Sequence, residues 1–418
     1  MSVLAAGSAG VLAVAGIGYT AWYGLAERGT ALAFGLLIAI GELARWGGRG
    51  TPRATGAPGG AAAREPAPLG AAGALAYALL GESAGSPTHH GVLQTVAVVA
   101  AATLAGIVPH VARGRGPGLD HLVRRILAVG FAAVCFQPLY NSGELRALVG
   151  IGPWYAVWLV AVLVLTALFD AVLSAALLRT RTRWPYGPVL RDELRALTGI
   201  GSAVGASGAV MALAVAVAGL WALPVFSAPL LLTQLAFRRY AAVRTTYRQT
   251  ITSLARATEI AGYTPPGHAR RVAALSCAMG RDLGLSEADR TVLEYAALMH
   301  DIGQLSLVDP VPAGATALLP AAEQRRIAML GGAVVRQTGV PADVAVVVER
   351  QADPFREQPL TARIIRTANA YDELTHTAGP AGPLTALEHL RLATGHDYHP
   401  RVVESLSRVV GAITPAGV

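Results

Sequence analysis

The chain has 418 residues, 53% apolar and 14% charged, with a mean hydropathy of +0.47, whereas an ordinary soluble domain carries about 25% charged residues. That composition excludes a single soluble globule, and the length calls for about two or three domains. The net charge of +8 rests on 34 basic residues that are all arginine, a compositional bias rather than a nucleic-acid footprint, so no nucleic-acid polymer is expected as a partner. Cys135 and Cys277 lack the spacing of a disulfide framework or a metal knuckle and fit a reduced cytosolic face.

Apolar runs occur at Ser2 to Gly24, Thr30 to Ala44, Leu69 to Leu80, Val92 to Val108, Ile126 to Tyr140, Ile151 to Leu178 and Ile200 to Phe237. Crossing the hydrocarbon core takes about 20 apolar residues. The last tract has the length for two spans turning near Gly219 to Pro224, so the runs predict eight spans, or seven without the short third one. Ser2 to Gly24 lacks a basic leader and is followed at once by another apolar run, which predicts a retained span and not a cleaved signal peptide.

Short cytoplasmic loops retain basic residues, and the arginines alternate accordingly. The segments after even-numbered spans hold Arg45, Arg49, Arg53 and Arg64, then Arg113, Arg115, Arg124 and Arg125, then Arg179, Arg181, Arg183, Arg191 and Arg195, then Arg238, Arg239, Arg244 and Arg248; those after odd-numbered spans hold only Arg28 and Arg146. This pattern predicts a multi-pass protein of the cell membrane with both termini in the cytoplasm and a flexible cytoplasmic loop from Gly47 to Pro68. Glu42 and Asp170 read as interfacial anchors, with a proton relay as the alternative. Gly201 and Gly205 form a small-xxx-small pair suited to close helix packing, and His89, His90 and His110 read as loop or interface histidines.

From Tyr240, the residues Val243, Tyr247, Thr250, Leu254 and Ala257 recur at helical spacing. They predict a connector helix with one sticky seam, compatible with a homodimer contact or with packing on the following domain. Beyond it the pattern is helical throughout: His268 to Leu283, a helix through Leu293, Ala296, Ala297 and His300 that is opened by a Ser286/Asp289 capping box, and further helices at Ala321 to Gln337, Ala342 to Gln351, Thr361 to Thr375, Leu384 to Ala393 and Pro400 to Val410. The predicted fold class is all-α. It comprises a polytopic transmembrane helical bundle over residues 1–237, a connector helix over 238–261 and a cytoplasmic all-helical domain over 262–418.

The stretch YTPPGHARRVAALSCAMGRDLGLSEADRTVLEYAALMHDIGQLSL resembles the opening of an HD-superfamily phosphohydrolase, in particular the HD-GYP branch that hydrolyses cyclic di-GMP. The likeness continues through PLTARIIRTANAYDELT and GHDYHPRVVESL, about Gly262 to Val410. It implies a divalent metal, iron, manganese or zinc on ligand chemistry, that activates water against phosphorus. On that resemblance His268 is the first metal ligand, His300 and Asp301 are the doublet with a catalytic role, Asn369 stands at the final aspartate ligand, and Arg271 and Arg350 are phosphate contacts. Read from its own helix, His300 falls on the apolar face of Leu293 and Ala296, so a core histidine bonded to Asp301 is equally compatible.

The sequence departs from the HD-GYP pattern at several positions. Leu330, Val347 and Val348 stand where active members place ligand histidines, Gln304 replaces the lysine after the doublet, and the Gly-Tyr-Pro signature is absent around Asp353, Pro354 and Phe355. The expectation is a membrane-anchored signalling protein with a degenerate HD-GYP-like domain, weak or inactive as a phosphohydrolase, that binds a cyclic dinucleotide or other phosphoester and contacts the lipid bilayer. An active phosphodiesterase is the first alternative and a transporter or channel with a helical regulatory domain the second; scarce intramembrane charge weighs against the latter.

Overall fold

The computed structural model describes residues 2–44, 67–112, 119–150, 152–182, 186–309, 311, 314–377 and 382–413. Of the predicted loop Gly47 to Pro68, residues 47–66 with Arg49, Arg53 and Arg64 lie outside the described residues, as do Arg45, Arg113, Arg115 and Arg183. The chain divides into two compact units that meet in sequence between Ala242 and Val243. Both are all-α; the one sheet among the described residues is the two-residue hairpin β1 (Glu82–Ser83) and β2 (Ser86–Pro87).

The first unit contains α1 (Ser2–Tyr23), α2 (Arg28–Leu43), α3 (Pro68–Ala78), α4 (Val92–Val111), α5 (Leu119–Asn141), α6 (Glu144–Val149), α7 (Pro153–Thr182), α8 (Tyr186–Ala196), α9 (Ser202–Ala218) and the first part of α10 (Ala222–Ile260). Among the described residues, five helical segments are long and apolar enough to cross a membrane: Val3–Tyr23, Val92–Val111, Leu119–Asn141, Pro153–Thr180 and Ser202–Arg239. They mark a membrane protein. The last is divided by a tight turn at Gly219–Trp221, inside the stretch where a turn was expected. Of the eight expected spans, those at α2 and α3 form helices of 16 and 11 residues, about 24 and 16 Å at 1.5 Å per residue, and are shorter than these five segments.

Nearly all of α3 is buried, and α9 packs closely on it. A Cβ at Gly208 of α9 would stand 3.0 Å from Ala72 O and 3.1 Å from Leu75 Cβ, so the two backbones touch there. The expected pair behaves differently: Gly205 meets only Leu163 Cδ2 at 3.9 Å, and Gly201 ends a π-turn. The buried C-terminal end of α3 also needs partners for its free carbonyls. His90 Nε2 donates to Tyr77 O at 3.0 Å while its ring stacks on that tyrosine, and Gln137 Nε2 donates to Ala78 O at 3.0 Å and Leu80 O at 3.1 Å. His90 and His110 are therefore buried helix-end partners, and only His89 stays solvated.

Two adjacent arginines of α5 reach different helices. Arg124 takes Asp170 of α7 in a bidentate pair at 3.0 and 2.6 Å, and Arg125 takes Glu42 of α2 at 3.1 Å. Glu42 is fully enclosed, with His121 Nε2 3.1 Å from its second oxygen and His110 Nε2 donating to its backbone carbonyl at 3.1 Å. Burial makes these pairs unequal: the Glu42 side chain is 0% exposed and that of Asp170 31%. Arg125→Ala should therefore cost about 3 kcal/mol, because the enclosed Glu42 carboxylate loses its guanidinium partner, and more than Arg124→Ala, whose carboxylate is less enclosed. Thermal unfolding of the two variants in detergent checks this, and equal losses would remove burial as the deciding factor.

The second unit contains the rest of α10 and α11 (His268–Asp282), α12 (Glu287–Met299), α13 (Ala321–Gln337), α14 (Ala342–Arg350), α15 (Leu360–Thr377), α16 (Gly382–Leu392) and α17 (Pro400–Ile413). The capping box forms at α12, where Asp289 N–H donates to Ser286 Oγ at 3.2 Å. The core gathers Val272, Met279, Leu293, Ala296, Met299, Val348, Ile364, Ile365, Ala368 and Leu406 from five helices. In this part of α10 the buried face is Ile251, Ala255 and Thr258, whereas Val243 and Tyr247 of the expected seam are exposed.

Candidate metal centre

Three helix positions bring the site together. His268 opens α11, His300 and Asp301 follow the last residue of α12, and Asn369 sits on α15. The glycine two residues after Asp301 has a packing reason. A Cβ on Gly303 would collide with Ile327 O and with the Gly331 backbone of α13, so only glycine lets the turn Ile302–Ser306 lie against that helix.

The two imidazoles face each other in a defined way. His268 Nδ1–H donates to Asp372 Oδ2 at 2.8 Å, and His300 Nδ1–H donates to Ala297 O at 2.9 Å. With both Nδ1 protons committed outward, the Nε2 lone pairs point inward, 3.3 Å apart and each 3.2 Å from Asp301 Oδ2. Asn369 Oδ1 stands 3.1 Å from His300 Nε2. Asp301 Oδ2 is buried yet meets no donor in hydrogen-bonding geometry. Such a convergence of lone pairs requires a positive charge at its centre, and two imidazoles, a carboxylate and an amide oxygen are a donor set that fits a divalent metal. His268, His300 and Asp301 are the one group of three such His, Cys, Asp or Glu donors among the described residues.

The ionisation behaviour has the same origin. Burial alone lowers the His268 imidazole, but the Asp301 and Asp372 carboxylates outweigh it and raise it to about 10. For His300, burial again opposes and the charge of Asp301 prevails, so it is raised. Asp301 would be raised by burial, but His300 and His268 hold it well below the usual carboxylate range. Without a metal, protons supply the missing positive charge.

Arg271 lies one helical step from His268, and both reach one carboxylate. Its Nε and Nη2 donate to Asp372 Oδ1 and Oδ2 at 2.8 and 3.0 Å, and its Nη1 donates to Pro266 O at 2.9 Å. Burial raises the Asp372 carboxyl, yet the hydrogen bonds from His268 and Arg271 bring it down to about 2. Arg271 thus fixes Asp372, which fixes the His268 tautomer. Arg350 is directed to Asp353 Oδ2 and Glu357 O, and neither arginine lines the cavity beside the doublet.

Asn369 is oriented by a carboxylate one turn further along α15. Its Nδ2 donates to Glu373 Oε1 at 2.8 Å and to Thr316 Oγ1 at 3.3 Å, which turns Oδ1 toward His300. Thr316 Oγ1–H and Ala317 N–H also donate to Glu373, at 3.1 and 2.9 Å. Burial pushes the Glu373 carboxyl up to about 7, with the charge of Asp301 adding to the effect. Asp372 and Glu373 were missed in the sequence, although they follow Asn369 at spacings of three and four and so share its side of the helix. Of the replaced positions, Val347 and Val348 lie in the core, Leu330 is half-buried and Gln304 is buried.

A cavity of about 40 Å³ opens beside the cluster, lined by His300, Asp301, Asn369, Gln351, Arg366 and Tyr398 among others. Arg366 and Tyr398 were also missed. Arg366 carries the same helical signal as Glu373, three residues before Asn369; Tyr398 arrives through tertiary packing.

Comparison with known proteins agrees with this geometry. The HD domain family matches residues 267–374, and this segment is an HD domain. Among curated proteins, a cyclic di-GMP phosphodiesterase of Thermotoga maritima is 24% identical over 165 residues, which cover 35% of this chain and 45% of that protein. The match thus spans less than half the length of that relative. No solved structure matches the chain.

Removing the group behind His268 tests the site's construction. Asp372→Ala should weaken Mn²⁺ binding by about 10- to 100-fold with helical content retained, as read by metal titration and circular dichroism on the full-length protein. Unchanged Mn²⁺ affinity would separate Asp372 from any metal.

Proposed function

We propose that the protein is a signalling protein of the cell membrane whose HD-GYP-like domain holds one divalent metal, binds a cyclic dinucleotide or related phosphoester, and hydrolyses it weakly or not at all. The observation that carries this reading is the inward convergence of the His268 and His300 Nε2 atoms, Asp301 Oδ2 and Asn369 Oδ1. These residues would hold iron, manganese or zinc, which when bound polarises a phosphoryl oxygen and acidifies water. The chain's own residues orient the ligands: Asp372 and Ala297 O set the imidazole tautomers, and Glu373 sets the amide.

Low turnover is supported by the ligand set. Active HD-GYP sites place further histidines where this chain has Leu330, Val347 and Val348, and two of these are core residues here. Asn369 offers an oxygen without a negative charge. The name of the Thermotoga relative supports cyclic di-GMP as the first ligand to try. Exposed Val243 and Tyr247 at helical spacing support a second copy meeting the connector at residues 238–261.

Asn369→Asp should raise Mn²⁺ affinity by restoring an ionised ligand, measured by metal analysis of full-length protein. Wild-type protein with manganese or iron should leave cyclic di-GMP essentially intact; robust turnover abolished by Asp301→Ala would instead establish an active phosphodiesterase.

The arginine alternation supports cytoplasmic termini. Reporter fusions at Ser86 and Arg181 should then fall on opposite faces of the membrane, and the same face for both would refute the topology.

A further inference from the structure

We propose that Arg366 is the anion-recognition residue of the cavity, holding the phosphoryl group of a phosphate ester against the metal-facing donors. The inference rests on the metal-dependent reading above and assigns the ligand contact that reading leaves open.

Position comes first. Arg366 precedes Asn369 by three residues on α15, so the two share one side of a rigid helix, and both line the cavity with His300 and Asp301. Its guanidinium carbon lies 5.9 Å from the centroid of the Tyr398 ring, another lining residue, and this contact orients the cation without using a donor. The hydrogen bond it makes, Nη1 to Asp353 O at 2.9 Å, goes to a carbonyl that Gln358 Nε2 already satisfies at 2.7 Å. Satisfying that carbonyl is therefore not what Arg366 is needed for. A guanidinium carries five N–H donors in a planar fork matched to phosphate oxygens.

Charge points the same way. Asp301 is the one carboxylate that lines the cavity, so a divalent ion held by these donors would leave the site net positive before Arg366 adds its own charge. Glu373 is turned toward Thr316, Ala317 and Asn369 and does not line the cavity. The other arginines near the doublet are engaged elsewhere: Arg271 with Asp372 and Pro266 O, and Arg350 with Asp353 and Glu357 O. Size limits what enters. About 40 Å³ corresponds to roughly three waters, enough for a phosphoryl group with the remainder of the ester outside.

The test uses full-length protein in lipid nanodiscs. Inorganic phosphate is titrated calorimetrically with and without one equivalent of Mn²⁺, and Mn²⁺ binding is followed separately by electron paramagnetic resonance. Arg366→Gln should lower phosphate affinity at least tenfold while Mn²⁺ affinity stays within threefold of wild type, and Arg391→Gln, remote from the cavity, should change neither. Arg366→Lys keeps the stem and charge but not the fork, so it should lose at least threefold, which also keeps the question decidable if the glutamine variant does not fold. Phosphate binding by either Arg366 variant at wild-type strength, or no phosphate binding by wild type under both conditions, overturns the assignment. Phosphate binding that Arg366→Gln abolishes in a protein that takes up no Mn²⁺ would sustain Arg366 and refute the metal reading.

Discussion

A neutral imidazole presents one donor and one acceptor, and which nitrogen plays which part is settled by whatever accepts the proton. In this protein Asp372 and Ala297 O take the Nδ1 protons of His268 and His300, and that commitment governs the second unit. It leaves two nitrogen lone pairs facing a buried carboxylate oxygen, an arrangement that is repulsive unless a cation or protons intervene. Helix placement follows from it. The start of α11, the end of α12 and the middle of α15 must converge within a few ångströms, and the apolar contacts of Val272, Ala296, Met299, Ile365 and Ala368 around them hold that convergence in register. Arg271 belongs to the same constraint, because a carboxylate accepting from His268 and Arg271 together is fixed at both oxygens.

The first unit solves a different problem with similar means. In hydrocarbon every backbone polar group and every charge needs a partner inside the protein. An 11-residue buried helix such as α3 would leave carbonyls unsatisfied at its end, and His90 and Gln137 supply the donors. Neighbouring side chains on a helix diverge by about 100°. Arg124 and Arg125 can therefore hold carboxylates on two different helices from consecutive positions of α5, drawing α2 and α7 to it through opposite charge. The few ionisable residues in the apolar tracts thus do structural work in pairs.

Much of this was legible in the sequence where one element decides the matter. Helical periodicity placed Ala321–Gln337 at its observed bounds, Ser286 and Asp289 marked the start of α12, and the resemblance to HD phosphohydrolases pointed to His268, the His300–Asp301 doublet and Asn369, which the fold brings together. What was illegible depends on partners distant in the chain. On α9 the close backbone approach lies at Gly208, not at Gly201 and Gly205, because α3 happens to cross there. The buried stripe of α10 is set by the helices it meets, which select Ile251 and Ala255 over Val243 and Tyr247. Hydropathy found α2 and α3, but it could not show that their helices are the short ones, of 16 and 11 residues. Asp372, Glu373 and Arg366 are an intermediate case: helical spacing from Asn369 points to all of them, but only the fold shows which of them line the cavity.

The pairing of Asn369 with Glu373 bears on what such a site favours. An aspartate at 369 would put a negative charge beside His300 and Asp301, strengthening the hold on a cation and reducing the pull on an anion. The amide does the reverse, and Glu373, Thr316 and Ala317 keep it oriented so that its oxygen still faces the cluster. Burial and the charge of Asp301 raise Glu373 to about 7, so this acid carries its full charge less readily than an ordinary glutamate near neutral pH. The centre therefore keeps the geometry of a four-donor site while moving an acidic group from the ligand position to the layer behind it. On the proposed reading, a divalent ion held by these donors would have less of its charge neutralised by an amide than by a carboxylate and would leave more of it for a phosphate oxygen.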